Sequence, residues 1–330
     1  MDDKQRLLEN KRRELRRIKD EQRAAKNRAG RSERAKRKKK KVRLKQEILQ
    51  LRDALRAEKE RKAGQALHNP PLPQVKKGVA SGSLPDFIII GGQKCGTTFL
   101  YRLLTRHPHV KGAALKELHY FDHNFGEGID WYRRCFRSPV CRDGRKTITG
   151  EATPSYMFLH YVPERMLAVV PQARLIALLR NPVDRAYSHY HHNVRKGMET
   201  RTFEEVLEVE AARLQGERCR EEEHNAVTQG KQTSYLSRGI YVDQLMRLSK
   251  YFDDEQVLVL KSEDFFRRIP ESMQRVVRFL GLPAWEPPAV NIPNTGGYAP
   301  MDPAMRQRLE TFFEPHNRRL YEYLSVDYGW

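Results

Sequence analysis

The chain has 330 residues, 39% hydrophobic and 9% aromatic, which fits a globular protein with one full core and a further segment. No run of about 18 apolar residues occurs and the charged start lacks an apolar signal core, so we expect a cytoplasmic protein without a signal peptide or transmembrane segment. Four cysteines without CxxC spacing are too few for a disulfide framework and do not indicate a cysteine zinc site. Cys135 and Cys141 could pair across a short loop, but we expect free thiols.

The formal net charge of +20 comes mainly from the start of the chain. Residues 1–65 contain 26 Lys and Arg against 11 Asp and Glu, and their sparse apolar positions, as from Leu44 to Leu55, follow the spacing of a narrow helical seam. We therefore expect residues 1–64 to form a basic helical, coiled-coil-like extension. Its charge favours a peripheral contact with an anionic membrane surface and its seam favours self-association, while the lack of interleaved aromatic residues argues against specific nucleic-acid binding.

A stretch rich in Pro, Gly and Ser follows at 65–85 and predicts a linker, so the compact domain should occupy 86–330. Strand-like runs lie at 87–90, 147–149, 174–179 and 257–260, and helical stretches at 98–106, 162–169, 203–215, 240–251 and 271–280. This alternation predicts an α/β fold, a single P-loop-like domain with a central parallel sheet flanked by helices. In such sheets ligands bind beyond the carboxyl ends of the strands.

The first strand runs into a glycine turn and a helix in the stretch DFIIIGGQKCGTTFLYRLL. Successive backbone amides at a strand-to-helix turn form an anion cradle. Gly91 and Gly96 have Walker A spacing, but Thr97 and Thr98 stand where that motif has Lys-Ser or Lys-Thr. The lysine of this loop comes earlier, at Lys94.

A second anion-binding signal follows the strand in ARLIALLRNPVDRAYSHY. A P-loop kinase or NTPase requires a Mg²⁺-binding acid after a second strand. Arg180 stands there instead, and Asp184 falls beyond Pro182 in the next helix. The pattern favours direct contact between arginine and a second anionic group. A P-loop nucleotide kinase or NTPase, and a nucleic-acid or membrane-surface binding protein with an inert nucleotide fold, remain the alternatives.

These motifs resemble those of sulfotransferases that use 3′-phosphoadenosine 5′-phosphosulfate (PAPS). GGQKCGTTFLYRLL is similar to their 5′-phosphosulfate loop and RLIALLRNPVDRAYSHY to their 3′-phosphate motif, with the closest match in the heparan-sulfate sulfotransferase branch and its bacterial relatives. GEATPSY, SYLSRGIYVDQL, VLVLKSEDF and the stretch beginning PNTGGYAP follow in family order, so the resemblance covers nearly all of 86–330. It implies sulfuryl transfer from PAPS to a hydroxyl or amine of a small-molecule or saccharide acceptor, a carbohydrate or glycolipid, releasing adenosine 3′,5′-bisphosphate (PAP) without a metal.

The resemblance also implies which residues bind the nucleotide. They are Lys94, Cys95, Gly96, Thr97, Thr98, Arg180, Ser188, Gly296, Gly297 and Tyr298. Amides and hydroxyls of the loop hold the 5′-phosphate, and Lys94 neutralises the oxygen that leaves as sulfur is attacked. Arg180 and Ser188 hold the 3′-phosphate, a task that suits the planar guanidinium fork.

The catalytic base is implied by LKELHYFD, which resembles the KEPHFFD stretch of the 3-O-sulfotransferases. Glu117 is the expected base, and His119 the residue that orients it or the acceptor. His192 matches a histidine near the acceptor in the N-sulfotransferases and is a secondary candidate, whereas His189 and His191 are expected in packing or at the surface. Taken alone, Glu117 would be interpreted as a solvated charge.

Two departures from the glycosaminoglycan enzymes concern the acceptor. NTGGYAP replaces a stretch that usually carries further cations, and Ala152 stands where those enzymes commonly have lysine. Both weaken the case for a densely sulfated polysaccharide acceptor and leave the expected nucleotide contacts in place.

Overall fold

The computed structural model describes residues 82–217, 234–290 and 297–330. The predicted extension and most of the linker therefore lie outside the described residues, as does Cys219. Pro85 is buried and Leu84 packs against the core, so contacts with the domain begin before Asp86. Within the described ranges, no helix combines the length and apolar character needed to span a bilayer.

A five-stranded sheet forms the centre of the domain. Its strands are β1 (Phe87–Gly91), β2 (Val110–Gly112), β5 (Ile148–Ala152), β6 (Arg174–Leu179) and β7 (Val257–Lys261), in the order β2-β5-β1-β6-β7. Every pairing is parallel, with Phe87 opposite both Gly150 and Arg174. A separate antiparallel hairpin is formed by β3 (Cys141–Arg142) and β4 (Arg145–Lys146). The predicted α/β fold with a central parallel sheet is confirmed.

Helices cover both faces of this sheet. They are α1 (Thr97–Leu104), α2 (Gly128–Arg134), α3 (Val162–Val169), α4 (Pro182–Arg195), α5 (Phe203–Glu217), α6 (Tyr241–Leu248), α7 (Ser262–Arg267), α8 (Ile269–Phe279) and α9 (Pro303–Leu324). The bounds of α3 and β6 agree with the sequence prediction. The strand predicted at 147–149 instead continues to Ala152, and the helix predicted at 240–251 ends at Leu248 with Ser249 as its C-cap.

The alternation of side chains along β1 explains the two-sided core. Phe87 and Ile89 point to the face covered by α1 and α8, whereas Ile88 and Ile90 point to the face covered by α3 and α6. All four are fully buried. Since burying such a side chain contributes roughly 1.5–3 kcal/mol, β1 is a major source of the domain's stability. A third apolar cluster joins α4, α5 and α9 beyond the sheet.

The carboxyl ends of β1 and β6 lie side by side at the centre of the sheet. The Gly92 amide, just after β1, donates to the Leu178 carbonyl of β6 over 2.6 Å. In the sheet, β5 and β2 lie on one side of β1, and β6 and β7 lie on the other side. Such a reversal of strand order opens a crevice at the carboxyl edge, and both sequence motifs lie there.

Candidate active site

The loop between β1 and α1 exposes a helix N-terminus that lacks a cap. Gly96 is the N-cap residue with φ 98°, no side chain caps the helix, and no acidic residue lies in its first turn. A Cβ at Gly96 would lie 2.7 Å from the Phe266 ring, so both the backbone conformation and the space require glycine. Thr97 is buried and Thr98 exposed. The first amides of α1 are therefore suited to bind an anion.

Lys94 lies in the same loop in a left-handed conformation, with φ 69°. Burial lowers the pKa of its ammonium, and neighbouring positive charges lower it further; these belong to Arg195, Arg180 and Lys196. Glu117 acts in the opposite direction. The lysine thus lies in a strongly positive environment that favours an anionic ligand.

The second motif places Arg180 directly after β6. Its Nη1 donates to the Lys94 carbonyl over 3.3 Å, and its own carbonyl accepts a 2.8 Å hydrogen bond from the Tyr241 hydroxyl. That hydroxyl also lies 3.8 Å from the Cys95 Sγ. Ser188 is buried in α4, two turns after the helix begins. These contacts hold the two anion-binding motifs next to each other.

Asp184 is not at the end of the strand. It lies in the first turn of α4, and its carboxylate forms an ion pair with Arg306 of α9. Asn181 precedes it as the N-cap and accepts hydrogen bonds from the Val183 and Asp184 amides. The position that a P-loop kinase gives to its metal-binding acid is therefore occupied by Arg180.

The predicted catalytic loop follows β2. The Nε2 of His119 lies 3.9 Å from Oε2 of Glu117, and its Nδ1 lies 2.9 Å from Oδ2 of Asp122. The imidazole is therefore placed between two carboxylates. Lys116 also pairs with Glu117 at the surface.

Backbone strain is concentrated at the predicted catalytic residues. Five non-glycine residues of the described chain have positive φ, and Lys94, Glu117 and His119 are three of them. Left-handed conformations cost such residues of order 1–3 kcal/mol and cluster at active sites. The fold holds these three side chains in place at an energetic cost.

The pKa values of both members of the His119–Asp122 pair are shifted. Burial acts to lower the pKa of His119, but the hydrogen bond and charge of Asp122, with smaller contributions from Glu117 and Glu151, outweigh it and raise the pKa overall. Burial acts to raise the pKa of Asp122, yet the hydrogen bond and charge of His119 lower it to about 2. The Ser155 hydroxyl also donates to Asp122 over 2.7 Å. The pair is therefore ionic at mildly acidic pH.

Sequence reasoning missed Asp122 and a second carboxylate, Glu151. Glu151 is fully buried and accepts hydrogen bonds from the Tyr132 hydroxyl at 2.6 Å and the Thr153 hydroxyl at 2.7 Å. Burial raises its pKa, although those two hydrogen bonds act to lower it. Asp122 lies in the motif LKELHYFD and Glu151 in the motif GEATPSY. For Asp122, its position three residues after His119 was a usable signal.

The same loop has ligand types that suit a metal ion. Ligand atoms of His119, Asp122 and His123 lie within 4.8 Å of one another, the one such group in the described ranges. Asp122 already accepts hydrogen bonds from Ser155, from the His123 amide and from His119. The expectation of a metal-free reaction stays a prediction.

The remaining predicted residues lie on α4 and near the C-terminal helix. His192 follows Ser188 by one turn, and burial, then the charges of Lys94, Lys196 and Arg195, lower its pKa to about 4. The Tyr298 ring stacks on His191 at 4.2 Å between centroids. Gly297 is exposed, and Gly296 lies outside the described residues. Cys135 and Cys141 are free thiols, as expected, the first buried and the second exposed.

Comparison with known proteins decides the family. The sulfotransferase domain model matches residues 84–294. The chain belongs to the sulfotransferase family. The sulfotransferase from Alicyclobacillus acidocaldarius has a similar crystal structure, with 31% identity, a TM-score of 0.60, and coverage of 74% of this chain and 97% of that one. The predicted family resemblance is therefore confirmed.

Two curated sulfotransferases show the extent of sequence similarity. The membrane-associated sulfotransferase kil1 of Dictyostelium discoideum is 26% identical over 75% of this chain and 66% of its own length. The human heparan sulfate glucosamine 3-O-sulfotransferase 3B1 is 28% identical over 79% of this chain and 68% of its own length. The chain thus spans about two thirds of these relatives.

Proposed function

We propose that this sulfotransferase transfers a sulfuryl group from PAPS to a hydroxyl, or an amine, of a saccharide acceptor. One observation carries the proposal. The two predicted anion-binding motifs directly follow the adjacent parallel strands β1 and β6. They are joined by the 3.3 Å hydrogen bond from Arg180 to the Lys94 carbonyl. A nucleotide with separate 5′- and 3′-phosphates fits such a pair of sites.

The donor would be held by residues on both strands. The amides at the start of α1, with the Thr97 and Thr98 hydroxyls, would bind the 5′-phosphate. The Arg180 guanidinium and the Ser188 hydroxyl would bind the 3′-phosphate. Gly297 and Tyr298 would contact the nucleotide from the C-terminal side. Because Arg180 also contacts the loop of Lys94, a phosphate bound at one site would position the nucleotide for the other site.

The chemistry assigns one task to each side chain. Glu117 takes the proton from the acceptor group, whose freed electron pair forms a bond to sulfur. The bond between sulfur and the 5′-phosphate oxygen breaks, and its electron pair leaves with PAP. Lys94 neutralises the charge that builds on that oxygen. His119, held by Asp122, orients Glu117 or the acceptor, while His192, neutral at pH 7, contributes a hydrogen bond at the acceptor side.

The acceptor class follows from the relatives and from one buried residue. Heparan sulfate enzymes are among the relatives, which supports a saccharide. Ala152 is fully buried and its carbonyl accepts the Glu117 amide over 3.1 Å, so this position adds no cation next to the base. We therefore propose a carbohydrate or glycolipid that is less densely charged than a highly sulfated glycosaminoglycan.

A transfer assay tests the proposal directly. Purified protein is incubated with PAPS labelled in the sulfuryl group and a panel of oligosaccharides and glycolipids, with chelator present. Label should pass to at least one acceptor, and Lys94→Ala should abolish transfer. Lys250→Ala, which removes an exposed lysine just after α6, is the matched control and should keep full activity. Equal activity of both variants would contradict the assigned role of Lys94.

The P-loop kinase alternative loses support because Asp184 is paired with Arg306 and Arg180 ends the strand. Its test is Mg²⁺-dependent hydrolysis of ATP, which we expect to be absent.

The cytoplasmic location stays a prediction. Membrane attraction or self-association through 1–64 also stays a prediction, on residues outside the described ones. Deleting 1–64 should spare turnover on a soluble acceptor if the extension only tethers the enzyme.

A further inference from the structure

Arg185 is a buried arginine without a carboxylate partner. Its side chain is 0% exposed in the middle of α4. Its Nη2 donates to the Tyr235 carbonyl, while Nε and Nη1 are buried without a hydrogen-bond partner. No acidic residue of the described ranges forms an ion pair with it. A guanidinium removed from water in this way costs several kcal/mol unless an anion compensates.

The position of Arg185 relates it to both phosphate sites. It precedes Ser188 by three residues, so the two side chains share a face of α4. Its positive charge acts on the Cys95 thiol in the β1 loop and on the Tyr241 hydroxyl, which contacts Arg180. The charge of the buried guanidinium therefore reaches groups of the β1 loop and a hydroxyl that contacts Arg180.

The groups around Arg185 form no ion pair with it in the described ranges. His189 is buried beside Arg185, and burial together with the charges of Arg185 and Arg238 holds its pKa well below the usual range, so it is neutral. Its Nδ1 is also buried without a partner. The nearby carboxylate of Glu210 accepts the backbone amides of residues 235–237. The charge of Glu210 acts on Arg238, where it works to raise the pKa, while Arg185 has no ion-pair partner among the described residues.

We propose that Arg185 is a positioning residue whose buried charge is balanced by the 3′-phosphate of the bound nucleotide. This inference rests on the proposed PAPS donor. A phosphate monoester carries about −1.5 to −2 charge at pH 7, and attraction across the protein interior is much less screened than at the surface. Arg185 would act through Ser188 and the α4 backbone rather than by contact, and would give the enzyme its preference for a 3′-phosphorylated nucleotide.

The test measures that preference by calorimetry. The Kd of PAP and of adenosine 5′-monophosphate is determined for wild type, Arg185→Gln, Arg185→Lys and Arg247→Gln. Glutamine keeps a donor for the Tyr235 carbonyl but has no charge, and lysine keeps the charge. Arg247 is the matched control, since it also donates to buried carbonyls, of Met157 and Phe158, but from α6. The preference is expressed as the Kd of adenosine 5′-monophosphate divided by the Kd of PAP. In Arg185→Gln this ratio should fall about tenfold or more.

The outcomes separate the two proposals. Near-wild-type ratios for Arg185→Lys and Arg247→Gln, with a reduced ratio for Arg185→Gln, would support the inference. An unchanged ratio in Arg185→Gln, or an equal loss for both nucleotides, would overturn it and leave Arg185 a structural residue. If Arg185→Gln does not fold, Arg185→Met is measured in its place with the same expectations. Failure of the wild type to bind PAP would instead refute the proposed donor.

Discussion

The charges and hydrogen bonds around the Asp122 carboxylate, with those of His119 first among them, should together contribute about 2 kcal/mol to folding at about pH 5. Asp122 is fully buried and its pKa falls from 3.8 to about 2. Since each unit is worth 1.36 kcal/mol, the shift corresponds to about 2 kcal/mol of differential stability. The interaction with Asp122 also raises the pKa of His119, so the two shifts are not added.

The pH dependence of this contribution has a definite sign at each end. Because the folded pKa of Asp122 is lowered, its stabilisation is present above 3.8 and is lost as pH falls towards 2. Because the folded pKa of His119 is raised, the stabilisation is present below 6.5 and is lost as pH rises through the folded value. The pair should therefore stabilise most strongly between these limits.

A double-mutant cycle in urea measures the contribution. Wild type, Asp122→Asn, His119→Gln and the double variant are unfolded at about pH 5, where the coupling free energy should exceed about 1 kcal/mol. The exposed pair of Asp243 and Arg319 provides a control cycle, expected below about 1 kcal/mol. A coupling for the buried pair no larger than the control, or one that persists at about pH 2, would show that the ion pair does not stabilise the fold.

Three further predictions concern the site. Glu117→Gln should lower kcat on the order of 10²-fold or more while leaving the Kd of PAP unchanged, as measured by label transfer and calorimetry. Gly96→Ala should weaken PAP binding in the same titration, because a φ of 98° strains alanine by roughly 1–3 kcal/mol and the new Cβ would lie 2.7 Å from the Phe266 ring, which must shift. The His192 imidazole should titrate by NMR near its pKa of about 4, and its contribution to stability should fall as pH drops from 6.5 towards that value.

Local sequence patterns predicted the centre of the fold because β1 and β6 are short, largely apolar runs next to clear breakers. RLIALL before Asn181-Pro182 gave the bounds of β6 correctly, and FIII before Gly91-Gly92 gave β1 to within one residue. β2 was not delimited, since VKG is only three residues long with one buried side chain. The hairpin from Cys141 to Lys146 was missed because all four of its strand residues are exposed and carry no apolar pattern.

The site was only partly predictable for a related reason. Lys94 and Arg180 follow strands directly, so the topology of a parallel sheet was enough to bring them together. The roles of Asp122 and Glu151 depend on burial and on hydrogen bonds from Ser155 and Tyr132, which are distant in sequence. Such long-range contacts leave no periodic signal in a single sequence.

We expect the domain to bind a nucleotide with two separated phosphates and to need no divalent ion for this binding. Calorimetry of the purified full chain against PAP in excess chelator, and against ATP with Mg²⁺, measures this directly. PAP should bind tightly and one-to-one, and ATP weakly or undetectably. Binding of ATP with Mg²⁺ but not of PAP would contradict the proposed donor.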